Sequence, residues 1–329
     1  MNSRGWRSFF FLAIFLIFFL PPLDTDLGWH LRYGDYFWRT GKFLTTNEFT
    51  LLLNHYVWPH SYTFYQIITA LIFKLTKFWG LAFFSSFVLF FAFYFLYLLL
   101  EKNLETTLLA FLLITFFSWD VFNLGWRAQI FSFLGISLNA KRNIPFFFLN
   151  ASLIIFNSSW LKKWQKDLNF ISFNRALIIL ILCGGLFFQF PRTIQINRRW
   201  ENYCQARKNF SFPCQGVNFL KENNIKGNFY NAYERGGFLE WQLPQSKFFV
   251  DGHMPAWPTP SGKNPYTLYL EIIQAQTGWQ KILEKYKINY LFIAQGIFLD
   301  IELKNNSLTH GWQEIFRDQK AVIYEKKEK

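Results

Sequence analysis

Two aspartates one residue apart, Asp24 and Asp26, follow directly on an uncharged apolar run, Phe9–Leu20. A carboxylate at bilayer depth is costly unless it faces a cavity, a cation or a reaction. The pair therefore stands as a candidate for such a task, where a solvated loop acid would be the plainer reading. Asp35 and Glu48 share the same stretch and read as ordinary solvated acids. His30 lies in Gly28-Trp29-His30-Leu31-Arg32, and His60 closes Trp58-Pro59-His60. Both are candidate site residues, although a histidine beside tryptophan at an interface is more often structural. Farther along, Arg127 supplies a charge that persists at any relevant pH and a fork of donors that matches phosphate oxygens; its plainer role is a headgroup anchor. Asp120 is the acid expected to orient it.

The elements around these residues read as a membrane domain. The chain is 52% hydrophobic, with 44 Phe and 14 Trp, and charge-free runs such as Leu81–Leu100 and Ala176–Phe190 approach the roughly 20 helical residues that cross a hydrocarbon core of ~30 Å. Trp6–Leu20 is expected as an uncleaved first span: Arg4 and Arg7 precede it, and it ends in Leu20-Pro21-Pro22 without a small-residue cleavage pattern. A polar loop, Asp24–His60, follows. Tyr62–Trp79 is expected to span or to lie in the interface, and Gly80–Leu100 to span. Leu104–Trp119, Ala128–Ala140 and Ile144–Trp160 are shorter apolar segments. The basic loop Lys162–Arg175 belongs in the cytoplasm, which places the part beyond the last span outside. Despite a net charge of +13, no Lys/Arg tract is dense enough for nucleic acid; the basic residues beside the spans read as topology signals and contacts with anionic lipid.

The expected fold is therefore mainly α: a polytopic transmembrane helical domain over residues 1–190, with about five to seven spans and an acidic first loop at 21–61, then a small soluble extracytoplasmic α/β domain over 191–329. In the latter, Gly216–Asn223 and Tyr266–Tyr286 read as helical, Asn228–Tyr233, Lys247–Val250 and Tyr290–Ala294 as strands, and Gly311–Tyr324 as a closing hairpin. Gly236-Gly237 and Asp251-Gly252 read as turns, with Asp251 forming an Asx-turn. Cys204 and Cys214 can pair outside the cytoplasm.

Several strings taken together resemble a known family. Asp24-Thr-Asp-Leu-Gly-Trp-His-Leu-Arg, a later Gly, and Trp58-x-His60 heading an apolar helix are similar to elements of a bacterial multi-spanning membrane family, itself resembling the C-type glycosyltransferases that use lipid-phosphate-linked sugars. Arg127-Ala-Gln-Ile-Phe-Ser-Phe resembles its R-P-Q-L-F-S-Y element. Gly236-Gly-Phe-Leu-Glu-Trp and Phe249-Val-Asp-Gly-His resemble G-G-Y-L-I-W and F-I-D-G-R. Ser61 and His253 depart from the Glu and Arg usual there, and fewer spans separate the Arg127 element from the C-terminal part. The resemblance implies a multi-pass protein of the bacterial cytoplasmic membrane that transfers a sugar from a polyprenyl-phosphate donor to an envelope acceptor. Asp24 or Asp26 would act as catalytic base or as ligand of a divalent cation such as Mg2+ or Mn2+, and Arg127, His30 and His60 would serve the donor phosphate or the acceptor. The alternative is a shortened, non-catalytic member that binds a lipid-linked glycan or an envelope partner.

Overall fold

The computed structural model describes residues 3–20, 22–54, 56–57, 60–100, 102–122, 124–129, 182–191, 212–254, 259 and 262–327. In chain order these form α1 (Ser3–Ile17), α2 (Leu27–Thr40), α3 (Thr63–Leu99), α4 (Leu104–Phe122), α5 (Leu182–Pro191), α6 (Cys214–Glu222), β1 (Asn228–Asn231), α7 (Gly236–Gln242), β2 (Lys247–Phe248), α8 (Pro265–Ile273), α9 (Trp279–Lys285), β3 (Tyr290–Ile293), α10 (Phe298–Asn305), α11 (Ser307–His310), β4 (Trp312–Arg317) and β5 (Val322–Lys326). The protein is mainly helical, with a small mixed sheet in its C-terminal part.

The chain divides into two compact units, one made of Met1–Asp24 with Ile72–Trp200 and the other of Thr25–Leu71 with Glu201–Lys329. This is not the division at 190/191 read from composition. Thr25–Leu71, expected as a loop of the membrane domain and its following segment, belongs with the C-terminal residues. Two physical ties explain it. Leu51 and Leu52 donate backbone N–H groups to the carbonyls of Phe248 and Phe249 at 2.7 and 3.2 Å, so the segment runs beside β2. In addition, α2 packs on α7 through glycines, as described below.

In the first unit, Phe10, Ile14 and Phe18 of α1 interlock with Phe93 of α3 and with Phe111 and Phe122 of α4. Phe18 stacks on Phe93 at 6.0 Å and meets Phe122 edge-on at 5.2 Å. Leu12, Phe83, Phe95 and Phe116 on these helices, and Phe187 and Phe188 on α5, are large, apolar and exposed. One helix among the described residues, Thr63–Leu98, is long and apolar enough to cross a membrane; Gly5–Ile17, Leu104–Phe116 and Leu182–Pro191 are shorter apolar helices. The long one leaves helical geometry at Lys77 (φ 55°, ψ −146°), where the sequence had separated Tyr62–Trp79 from Gly80–Leu100. The described residues thus hold fewer spans than the five to seven expected. Ile144–Trp160, the basic loop, all but the first two residues of Ala128–Ala140 and residues 176–181 of Ala176–Phe190 lie outside them.

The second unit is a sheet of order β2-β1-β3-β5-β4. β1 is parallel to β2 and β3, while β5 is antiparallel to β3 and β4, so Gly311–Tyr324 does form the expected hairpin. Alternation sorts the faces. Tyr230, Leu291, Ile293 and Tyr324 share a core with Ile272, Leu283 and Leu299 of α8, α9 and α10. On the other face Phe229 stacks between Phe248 and Tyr290 at 5.5 and 5.0 Å, and α6 approaches so closely at Gly216 that a β-carbon would come within 2.8 Å of the Phe292 ring. The segment expected as one helix, Tyr266–Tyr286, is two, because Gly278 adopts a left-handed φ of 92° between them. Asp300 ties α10 to the hairpin: it accepts from Gly296 N–H, both Arg317 Nη groups and Tyr324 Oη at 2.6–3.1 Å. Burial alone would raise its carboxyl, but these bonds outweigh it and bring it down to about 2.

Candidate functional site

In the first unit, the residues after α1 and after α4 are bound to each other. Leu23 N–H donates to the Leu124 carbonyl at 2.8 Å, and Gly125 takes a left-handed φ of 71° that a β-carbon would strain. Trp126 is buried beside it, and Arg127 Nε donates to Asp24 Oδ2 at 2.7 Å. The Asp24 side chain is 5% exposed and that of Arg127 17%. The partner of Arg127 is therefore Asp24, where the sequence suggested Asp120, whose side chain is outside the described set. One guanidinium donor is spent on Asp24; among the described residues the remaining four engage no side chain. A guanidinium held in this way can present its fork to an anionic oxygen.

The Asp24 carboxylate engages the guanidinium through Oδ2. Among the described residues no three His, Cys, Asp or Glu side chains are grouped to hold a metal ion.

In the second unit, α2 replaces what the sequence read as loop. Its buried face, Leu27, Gly28, Trp29, His30, Leu31, Tyr33 and Gly34, is followed by Gly41 at φ 68°, whose N–H closes the helix on the Phe37 carbonyl. A glycine past the last turn is the signal that would have found it. Four glycines bring α2, α7 and the turn after β2 into backbone contact. A β-carbon at Gly28 would sit 2.1 Å from the Gly237 carbonyl oxygen, and one at Gly236 would sit 2.2 Å from that of Val250. A β-carbon at Gly237 would fall 2.8–3.0 Å from Trp29, and one at Gly252 would fall 2.5 Å from Asp26 Oδ1. Gly236 and Gly237 are thus close-approach residues opening a helix, not a turn.

This packing gathers the strings Asp26–Tyr33, Gly236–Trp241 and Val250–His253 into one cluster. Asp251 Oδ1 accepts the His253 N–H at 3.1 Å, the Asx-turn read from Asp-Gly, and also lies against His253 Nδ1. The His253 ring is flanked by Trp29 at 5.0 Å and Tyr33 at 5.6 Å. Glu240, which sequence reasoning did not single out, is 2% exposed beside Asp251. Its burial first, then the Asp251 charge and hydrogen bond, raises its carboxyl well above the ordinary range; Arg32 offsets this only in part. The sequence signal was an acid inside an otherwise apolar GGFLEW string.

His30 is buried, edge-on to Tyr65 at 4.7 Å and to Tyr62 at 5.7 Å, which is a packing position. His60 is exposed, with Nδ1 3.2 Å from the Thr63 hydroxyl at the start of α3. Cys214 is disulfide-bonded; Cys204 lies outside the described residues.

The Glu240 shift has a measurable consequence. A carboxyl raised in the folded state contributes stability fully below its unfolded value, about 4.3, and that contribution is lost as pH rises through the raised value. Glu240→Gln keeps the shape and offers Asp251 an amide donor. We expect it to stabilise the protein by about 1–3 kcal/mol at pH 8 and by little at pH 4.5, read as Tm at the two pH values. An unchanged pH dependence would place the ionisation elsewhere.

No protein-family model matches the chain, and no curated protein matches it either.

Proposed function

We propose that this chain is a membrane-embedded transferase of the C-type glycosyltransferase kind, moving a sugar from a polyprenyl-phosphate donor to an envelope acceptor. The observation that supports it best is the Asp24–Arg127 pair: a guanidinium fixed through Nε, with its Nη fork uncommitted among the described residues, just past the ends of α1 and α4. The exposed Phe and Leu side chains of α1, α3, α4 and α5 suit a hydrocarbon surround, and a polytopic arrangement in a bacterial cytoplasmic membrane follows from that reading. A disulfide at Cys214 agrees with an extracytoplasmic C-terminal unit.

The acceptor hydroxyl attacks the anomeric carbon of the donor sugar. The bond from that carbon to the phosphate oxygen breaks, and polyprenyl phosphate leaves with the electron pair. Arg127 meets the charge that grows on the phosphate. The acceptor proton goes to a carboxylate of the Asp24-x-Asp26 string.

The test is transfer itself. The full chain, reconstituted in liposomes with radiolabelled polyprenyl-phosphate sugars, is expected to move label to an envelope acceptor. A folded, inserted chain that retains the donor yet transfers from none would overturn the enzyme and leave a glycan-lipid binding protein.

A further inference from the structure

We propose that the first half of α3, residues 63–76, lies in the headgroup–acyl boundary of the bilayer, while the second half crosses the hydrocarbon core. The inference rests on the membrane reading of the chain and adds a lipid-facing surface that the Asp24–Arg127 pair does not involve. The sequence left this stretch open between a span and an interfacial helix; length and burial decide it.

α3 is 37 residues long and leaves helical geometry at Lys77. A hydrocarbon core of ~30 Å takes about 20 helical residues. The 22 residues of 78–99 reach about 33 Å and suffice for it alone. The 14 residues of 63–76 reach about 21 Å, too short for a crossing of their own.

Burial in this first half is the reverse of that on a helix facing water. Phe64, Ile68 and Leu75 fall within about 40° of one another around the helix, and all three are exposed, Phe64 at 79% and Leu75 at 73%. Gln66 and Thr69, on the far side, are buried. The buried side is held close to α2: a β-carbon at Gly34 would come within 2.0 Å of the Gln66 carbonyl oxygen. From α2, Trp38 donates its indole N–H to the Ile67 carbonyl at 2.9 Å and leaves its ring exposed.

Continuity of the helix names the occupant. Leu75 stands three residues before the crossing half, hence at the bilayer surface, and the stripe runs back from it for about 16 Å. α3 carries no Asp or Glu; its only charges are Lys74 and Lys77, both exposed and both at the junction. Their stems can lie along apolar surface while the ammonium groups reach the headgroups. Apolar side chains in the acyl boundary with cations beside them are the arrangement of an interfacial helix.

Nitroxide labels read the depth. In a Cys183→Ser background, the full chain in lipid nanodiscs carries one label, at Phe64→Cys, Ile68→Cys, Phe87→Cys on the second half, or Lys304→Cys on α10, all exposed positions. Collision with oxygen, which concentrates in lipid, is compared with collision with a polar nickel chelate. The ratio for Phe64→Cys and Ile68→Cys is expected about tenfold above that for Lys304→Cys and below that for Phe87→Cys, as for side chains about 5–10 Å into the boundary. A ratio equal to that of Lys304→Cys overturns the proposal in favour of water, and one equal to that of Phe87→Cys in favour of a helix wholly inside the hydrocarbon. Labels immobilised and shielded from both reagents overturn it in favour of a protein partner. If Phe87→Cys itself matches Lys304→Cys, the membrane reading fails and takes the proposal with it, a result distinct from the other three.

Discussion

On the proposed mechanism, Arg127→Gln is expected to lower the rate of sugar transfer about 10²–10³-fold at saturating donor, the loss that follows removal of one preorganised donor aimed at developing charge. The effect belongs in kcat because the phosphate carries more negative charge as it leaves than it does in the bound donor. Arg127→Lys keeps the charge but loses the fork and the Nε bond to Asp24, so it recovers only part of the rate. Asp24→Asn frees the guanidinium from its anchor and costs about tenfold, as misplacement of a positioned group does. Asp26→Asn removes the other carboxylate of that string and is expected to cost about 10²-fold. Initial rates in membranes, normalised to inserted protein, check all four. An Arg127→Gln protein that transfers at the native rate would make Arg127 a lipid anchor.

The second large effect is on stability. Gly28→Ala places a methyl group 2.1 Å from the Gly237 carbonyl oxygen, an approach that backbone alone can relieve. Separating α2 from α7 also uncovers Trp29 and Glu240 and shifts Asp26 from the 251–253 turn. We expect a loss of about 3 kcal/mol, at the upper end for overpacking, and a fall in Tm of about 6–12 °C. Gly184→Ala, whose new carbon meets nothing within 4 Å, is the control and changes little. A tolerated Gly28→Ala would mean that α2 does not lie on α7 as described.

Some of this was legible in the residues. Alternating β-rich runs located β1, β3 and the β4–β5 hairpin, because period-2 burial is a local signal. Asp24 and Arg127 each stood out as charges next to apolar segments, but their pairing, across 103 residues, depends on how α1 and α4 end. The α2 helix was hidden because its buried face mixes Gly, His and Trp with Leu, which flattens the apolar stripe; Gly28 and Gly34 are there for close approach. Glu240 was hidden for a related reason: its burial is decided by α2 and the Asp251 turn, both remote in sequence. The boundary was misplaced since composition is averaged along the chain, whereas Thr25–Leu71 is held by partners beyond residue 200.

Side-specific labelling tests an outward-facing Asp24–Arg127 pair most directly. In a Cys183→Ser background, which removes an exposed thiol, single Thr25→Cys and Lys102→Cys proteins are treated with a membrane-impermeant maleimide in intact cells. The account predicts that Thr25→Cys reacts at once and Lys102→Cys only after permeabilisation. The reverse pattern would put Asp24 and Arg127 on the cytoplasmic side, away from lipid-linked sugars presented outside, and would contradict it.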